Sequence, residues 1–302
     1  MKNRITLIIL SLVVVSSAAF GQTSGRSSRV ELSASNTDYS LSDGSLVFPT
    51  IDSLEATNGQ AVSRSFSYDS TGLDQNGDTQ TMSISGSAIA QGDYGFLRTS
   101  AQGSLQNAFY NPANEPFYDS LTDTAGNPGV PDVLNLFGFA SWTDSLRVGS
   151  TATNYYSTWI FNITGNNSGD SAFAFTSFRS RIGNNPSEGF FFGDTGPIST
   201  IVRVSQYIQG NTPESVNFTL FSAFQPQTQV ISGGATVTGM SDFSNTVRLT
   251  GIEIRESPTG PILNNVSITS DSGFQYSVVP EPASMTILGL GLVAMLKKRK
   301  KA

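Results

Sequence analysis

The 302-residue chain contains no cysteine and no histidine. That excludes disulfides, thiol nucleophiles and cysteine-ligated metals, and with them the Ser-His-Asp triad and histidine-bound zinc. Lysine is confined to positions 2, 297, 298, 300 and 301. Schiff-base and Ser-Lys chemistry are therefore absent from everything between. Residues 22–279 carry ten arginines against 22 carboxylates, a net charge of −12. Nucleic acid and anionic lipid are poor partners for so acidic a surface. No amphipathic helical pattern exceeds two turns away from the termini, and no internal repeat, GxSxG, P-loop or GxGxxG motif occurs in a usable setting.

What the chain does have is concentrated first at its ends. Lys2 and Arg4 precede an apolar run from Ile5 to Val15, and small residues follow. This order is that of a secretory signal peptide over residues 1–21, cleaved after Ala19 or before Gln22. At the other end, Val279, Pro280, Glu281, Pro282, Ala283 and Ser284 open a segment that runs through an apolar stretch to Leu296. The basic cluster Lys297, Lys298, Arg299, Lys300 and Lys301 closes it. The fourteen-residue stretch Ala283–Leu296 would make a helix of roughly 21 Å, short of the ~30 Å hydrocarbon core. Snorkelling lysine stems and local bilayer thinning cover the deficit, and the five cations hold the terminus on the cytoplasmic side.

The order "VPEPAS", glycine-dotted apolar stretch and terminal basic cluster resembles the PEP-CTERM sorting signal of bacterial exported surface proteins. The Gram-positive wall signal shares the apolar-then-basic order, but its LPxTG pattern is absent here. The resemblance implies that residues 279–302 are recognised and cut by an exosortase-type membrane enzyme. The chain is then a substrate for sorting, transiently membrane-anchored and afterwards at the cell surface or in the extracellular matrix. An export signal in front and a sorting signal behind leave residues 22–278 as the ectodomain. Without cysteine its stability has to come from a core, which that length supplies.

Within the ectodomain the hydrophobic period is two. Met82, Ile84, Gly86, Ala88 and Ala90 share one face of a strand; Tyr155, Trp159, Phe161 and Ile163 share another. Ile198, Val202, Val204 and Ile208 form a third such set, and Val216, Phe218, Leu220 and Phe224 a fourth. Val247 and Leu249 give way to Ile252 and Ile254, a slip of phase that predicts a β-bulge at Gly251. Asn-Gly, Asn-Pro and Gly-Gly pairs punctuate the segments. The expectation is an all-β fold, a β-sandwich or jelly roll, with helices only in the N-terminal signal and the C-terminal membrane segment. Ile262 to Thr269 reads as the closing strand and Ser270 to Val279 as a tether; Gln22 to Ser28 and Asn111 to Pro131 read as the softest stretches.

Two local constellations remain. Asp69, Asp74, Asn76 and Asp78 offer oxygen ligands suited to calcium, but the EF-hand spacing fails and Asp-Gln-Asn-Gly-Asp is a good hairpin turn, the preferred reading. No other cofactor is expected. Trp142, Tyr155, Tyr156, Trp159 and Tyr207 lie on expected strands. Trp159 is in phase with the core, whereas Tyr156 and Tyr207 point outward, where they could stack on sugar rings. The sequence thus supports a non-enzymatic structural or adhesive surface protein, with a secreted carbohydrate-binding or carbohydrate-active module as the alternative and extracellular polysaccharide as its partner.

Overall fold

Strands that alternate apolar and polar side chains need a second apolar surface to cover one face. In this computed structural model that surface is supplied by a second sheet. The structure describes residues 24–35, 50–73, 79–107, 122–123, 133–149, 154–169, 174–226, 235–264 and 266–279. Among them there is no helix. In chain order the strands are β1 (Gly25–Ser35), β2 (Thr50–Ala56), β3 (Val62–Leu73), β4 (Thr79–Asp93), β5 (Phe96–Asn107), β6 (Thr122–Asp123) and β7 (Val133–Gly149). There follow β8 (Asn154–Gly169), β9 (Ala174–Ile182), β10 (Glu188–Phe192), β11 (Gly196–Gln209), β12 (Glu214–Phe224), β13 (Ala235–Arg255) and β14 (Ser267–Ser270).

They form two antiparallel seven-stranded sheets. One has the order β10-β9-β12-β7-β1-β2, with β14 also pairing β7; the other runs β11-β8-β13-β5-β4-β3-β6. The expected face sets point into the space between them: Ile84, Ala88 and Ala90; Tyr155, Trp159, Phe161 and Ile163; Val202, Val204 and Ile208; Val216, Phe218, Leu220 and Phe224 are all buried. The register of β13 against β8 shifts between Leu249 and Gly251, the bulge that the change of phase required. A second shift, between Asp242 and Val247, has no such signal in the sequence.

Three features differ from the sequence-based expectation. Gln22 to Ser28 was expected to be soft, yet β1 begins at Gly25 and is an inner strand between β7 and β2. The closing strand is shorter and later than Ile262–Thr269: β14 covers Ser267–Ser270, and Ile262 makes only an isolated bridge to Arg255. Ser270 to Val279 is no tether but part of the fold, as described below.

The sheets touch at backbone level in one half of the sandwich. A Cβ on Gly138 of β7 would lie 2.3 Å from the Ile89 carbonyl oxygen on β4, and one on Gly92 would lie 2.4 Å from that of Ser141. Only glycine permits that approach. Elsewhere a file of buried hydroxyls crosses from sheet to sheet: Thr99 to Ser222, Ser222 to Thr176 and Thr176 to Ser241, each 2.6 Å. At one side the edge strands are joined by Gln206 Nε2 donating to Glu188 Oε1 at 2.6 Å.

Candidate functional site

The C-terminal stretch is tied down residue by residue. β13 ends at Arg255, whose guanidinium donates to the Gly260 carbonyl oxygen at 2.5 Å, and the Leu263 amide returns to the Ile254 carbonyl oxygen at 2.8 Å. β14 then extends the first sheet, Ser267 facing Gly149 and Ser270 facing Leu146 on β7. A turn follows, closed by the Gly273 amide on the Ser270 carbonyl oxygen at 3.2 Å, with Gly273 at a φ of 75°. That left-handed backbone favours glycine.

The turn delivers the chain to Asp144, which is wholly buried on β7. A buried carboxylate needs donors on its lone pairs, and four reach it. Oδ1 accepts from the amides of Ser145 at 2.9 Å and Ser272 at 3.1 Å. Oδ2 accepts from the Ser272 hydroxyl at 2.5 Å and the Tyr276 hydroxyl at 2.8 Å. Burial, then the Asp144 charge and the hydrogen bond to it, push the Tyr276 phenol far above its ordinary range. The Tyr276 ring packs against Trp142, Trp159 and Phe274 with centroids 6.1, 5.7 and 4.8 Å away.

The last residues join the second sheet where β5 has ended. The Ile252 amide donates to the Ser277 carbonyl oxygen and the Val279 amide to the Ile252 carbonyl oxygen, both at 3.0 Å, giving a parallel bridge between Ile252 and Val278. A Cβ on Gly251 would come within 2.1 Å of Val279 Cγ2. The bulge glycine therefore makes room for the tail. Phe274, Tyr276 and Val278 face inward while Gln275 and Ser277 are exposed. That period of two is present in the sequence and would have marked the segment as a strand. Asp144, Ser272 and Tyr276 are the residues that sequence reasoning missed. Pro280, Glu281, Pro282, Ala283, Ser284 and the cluster Lys297, Lys298, Arg299, Lys300 and Lys301 lie outside the described residues, as does the N-terminal signal.

The aromatic candidates divide by strand phase. Trp142, Tyr155 and Trp159 are core residues, and Trp159 Nε1 donates to Ser157 Oγ at 3.2 Å. Tyr156 and Tyr207, opposite each other on β8 and β11, stand on the outer face with rings 5.6 Å apart, edge to face. Tyr207 is 45% exposed. On the same face the Thr158 and Ser205 hydroxyls bond at 2.9 Å, and Arg203 and Arg255 donate to Glu253 at 3.0 and 3.1 Å. Burial pushes the Glu253 carboxyl up, but the hydrogen bonds from Arg255 and Arg203 and their charges outweigh it, leaving the group below its usual range. Farther along the sheet, Ser65, Ser85, Ser87, Gln102, Ser104 and Thr238 line an open groove of about 550 Å³. The outer face of the other sheet carries Phe191, Phe175, Phe221 and Phe137 in a file, centroids 5.3, 6.0 and 5.1 Å apart.

Of the calcium candidates, Asp69 is exposed on β3, while Asp74, Asn76 and Asp78 lie outside the described residues. β3 and β4 pair up to Leu73 opposite Thr79, the two residues that flank that segment. Among the described residues no three carboxylates gather into a metal-binding group, and no helix is long and apolar enough to cross a membrane.

No curated protein matches the chain. Residues 278–301 match the PEP-CTERM protein-sorting motif, and the match begins at the Val278 that bridges to Ile252. The motif implies processing by an exosortase, a membrane sorting enzyme, and export across the membrane to the cell surface. The described two-sheet all-β body shares Val278 and Val279 with that motif, and the chain is a PEP-CTERM-containing protein.

Proposed function

We propose that the protein is a non-enzymatic structural or adhesive component of the cell envelope or extracellular matrix. It is exported by its N-terminal signal, held for a time by a short C-terminal membrane helix, and released from that helix by the sorting enzyme. The observation that carries this reading is the position of the motif, which overlaps the last two described residues of a disulfide-free two-sheet body. On this reading Asp69, Asp74, Asn76 and Asp78 hold no calcium, so chelation should leave the melting temperature unchanged. Intact-mass measurement on protein from the native host tests the delivery: the mature chain should start near Phe20 or Gln22 and lack Lys297 to Ala302. A dominant species that keeps the basic tail would refute it.

The second reading, a carbohydrate-binding module, is favoured by the outward pair Tyr156 and Tyr207 beside the Arg203-Glu253-Arg255 cluster. Two rings at an edge, flanked by charged and hydroxyl groups, match the needs of a polyhydroxylated ligand. The processed protein on a glycan array decides between the two. Binding that disappears in Tyr207→Ala would favour the carbohydrate module over the purely structural role.

A further inference from the structure

The fold leaves the sorting enzyme very little chain to work on. Among the described residues the last sheet hydrogen bond is made by the Val279 amide, and the apolar run begins at Ala283. Only Pro280, Glu281 and Pro282 lie between, and three extended residues span roughly 10 Å at most. The headgroup layer takes about 5–8 Å of that. A single α-helix with its side chains is already ~10–12 Å across, wider than the whole of that reach, so the closed sandwich leaves an enzyme at the membrane little room. Releasing residues 271–279 from the fold would add nine residues, roughly 30 Å of reach. The match to the sorting motif also begins at Val278, so its first two residues are held against β13 while the tail is closed.

Besides the backbone bonds of Ser277 and Val279 to Ile252, the tail has one buried side-chain centre. Asp144 gathers Ser272 by its amide and hydroxyl and Tyr276 by its phenol. Resting on the reading of the C-terminus as a sorting substrate, we propose that Asp144 and Tyr276 are positioning residues for sorting. Their clasp withholds residues 271–279, and the sorting enzyme cuts chains in which the clasp has opened. After the cut the clasp closes again, and the mature C-terminus stays fastened to the sandwich.

The test uses the full chain in its native host, with pulse-chase labelling and an ectodomain antibody that separates precursor from processed protein. Tyr276→Phe keeps the ring in the core but removes its bond to a charged acceptor, a loss that raises an opening equilibrium roughly ten- to a hundredfold. Processing should speed up by a similar factor up to the limit set by the enzyme. Ser272→Ala should act in the same direction if the core change in Tyr276→Phe impairs folding, and Ser272→Thr, which keeps the hydroxyl, should restore the wild-type rate. The opposite perturbation is available because the chain has no cysteine of its own. A disulfide between Ile252→Cys and Val278→Cys, adjacent across the parallel bridge, should trap the precursor until a reductant is added. Pro280→Ala with Pro282→Ala is the control for sorting itself and should block processing in every background. If that control matures like wild type, the sorting reading falls. If it blocks while the clasp variants and the disulfide leave the rate unchanged, sorting stands and the clasp is overturned.

Discussion

The two halves of the sandwich interior are filled in opposite ways. In one half the sheets are held apart by rings. Phe218 on β12 is the hub, with centroids 4.6 Å from Trp142, 5.1 Å from Trp159 and 4.8 Å from Phe161. In the other half Val30, Leu32, Ile84, Ala88, Ala90 and Ala101 fill a thinner space, with Phe66 and Phe224 as its rings. There Gly138 and Gly92 bring β7 and β4 into backbone contact. The aromatic half is sensitive to lost volume and the thin half to added volume. The C-terminal tail is fastened to the aromatic half, where Tyr276 completes the ring cluster beside Trp142 and Trp159.

The largest effect should come from emptying the aromatic half. Phe218→Ala removes a ring touched by four others, since Phe178 also stacks on it at 6.4 Å, and should cost about 3–5 kcal/mol in denaturant unfolding. A cost below that of an ordinary surface change would mean that the rings do not set the spacing of the sheets. In the thin half the informative change is an addition. Gly138→Ala should cost about 1–3 kcal/mol, because the new methyl meets a backbone oxygen that cannot rotate away. A neutral result would show that the sheets are not in contact there. Thr176→Val tests the file of hydroxyls that crosses between the sheets. It takes from the Ser241 hydroxyl its bond to Thr176 and leaves Ser222 with Thr99, at a cost of about 1–2 kcal/mol.

How far the sequence foretold this depends on which physical signal each element carries. Strand phase was legible wherever large apolar residues alternate with polar ones. It placed Trp159 in the core, Tyr156 and Tyr207 outside, and the bulge at Gly251. The signal failed where a residue type and its position disagree. Asp144 occupies an inward position of β7, in phase with Trp142, Leu146 and Val148, and a carboxylate in such a place reads as a strand facing water. Only the three-dimensional arrival of Ser272 and Tyr276 makes its burial tolerable. The tail was misread because Ser270, Ser272 and Gly273 have the composition of a linker. Its alternation of Phe274, Tyr276 and Val278 is the same period-two pattern trusted elsewhere, carried by only three residues. The motif at 278–301 was legible because it is read by an enzyme as sequence, not as fold.

The smallest of the expected effects tests the bond between the tail and the aromatic half without changing any packing. The unfolded chain releases the Tyr276 proton near the ordinary value of 10.0, whereas burial and the adjacent Asp144 charge hold it far higher in the folded protein. A group whose pKa is raised on folding contributes its full stabilisation below the unfolded value and loses it as the pH climbs past that value. The contribution of Tyr276 should therefore be constant up to about pH 9 and fall by about 0.8 kcal/mol by pH 10.5, on the way to a slope of about 1.4 kcal/mol per pH unit. Tyr276→Phe has no proton to lose and should show a shallower alkaline decline by that amount, despite being less stable at neutral pH. Denaturant unfolding of both proteins at pH 9 and pH 10.5 gives the comparison as a difference of differences, in which the other tyrosines cancel. Equal declines would mean that the phenol is as free in the folded state as in the unfolded chain, and that the tail is held to the aromatic half by its ring alone.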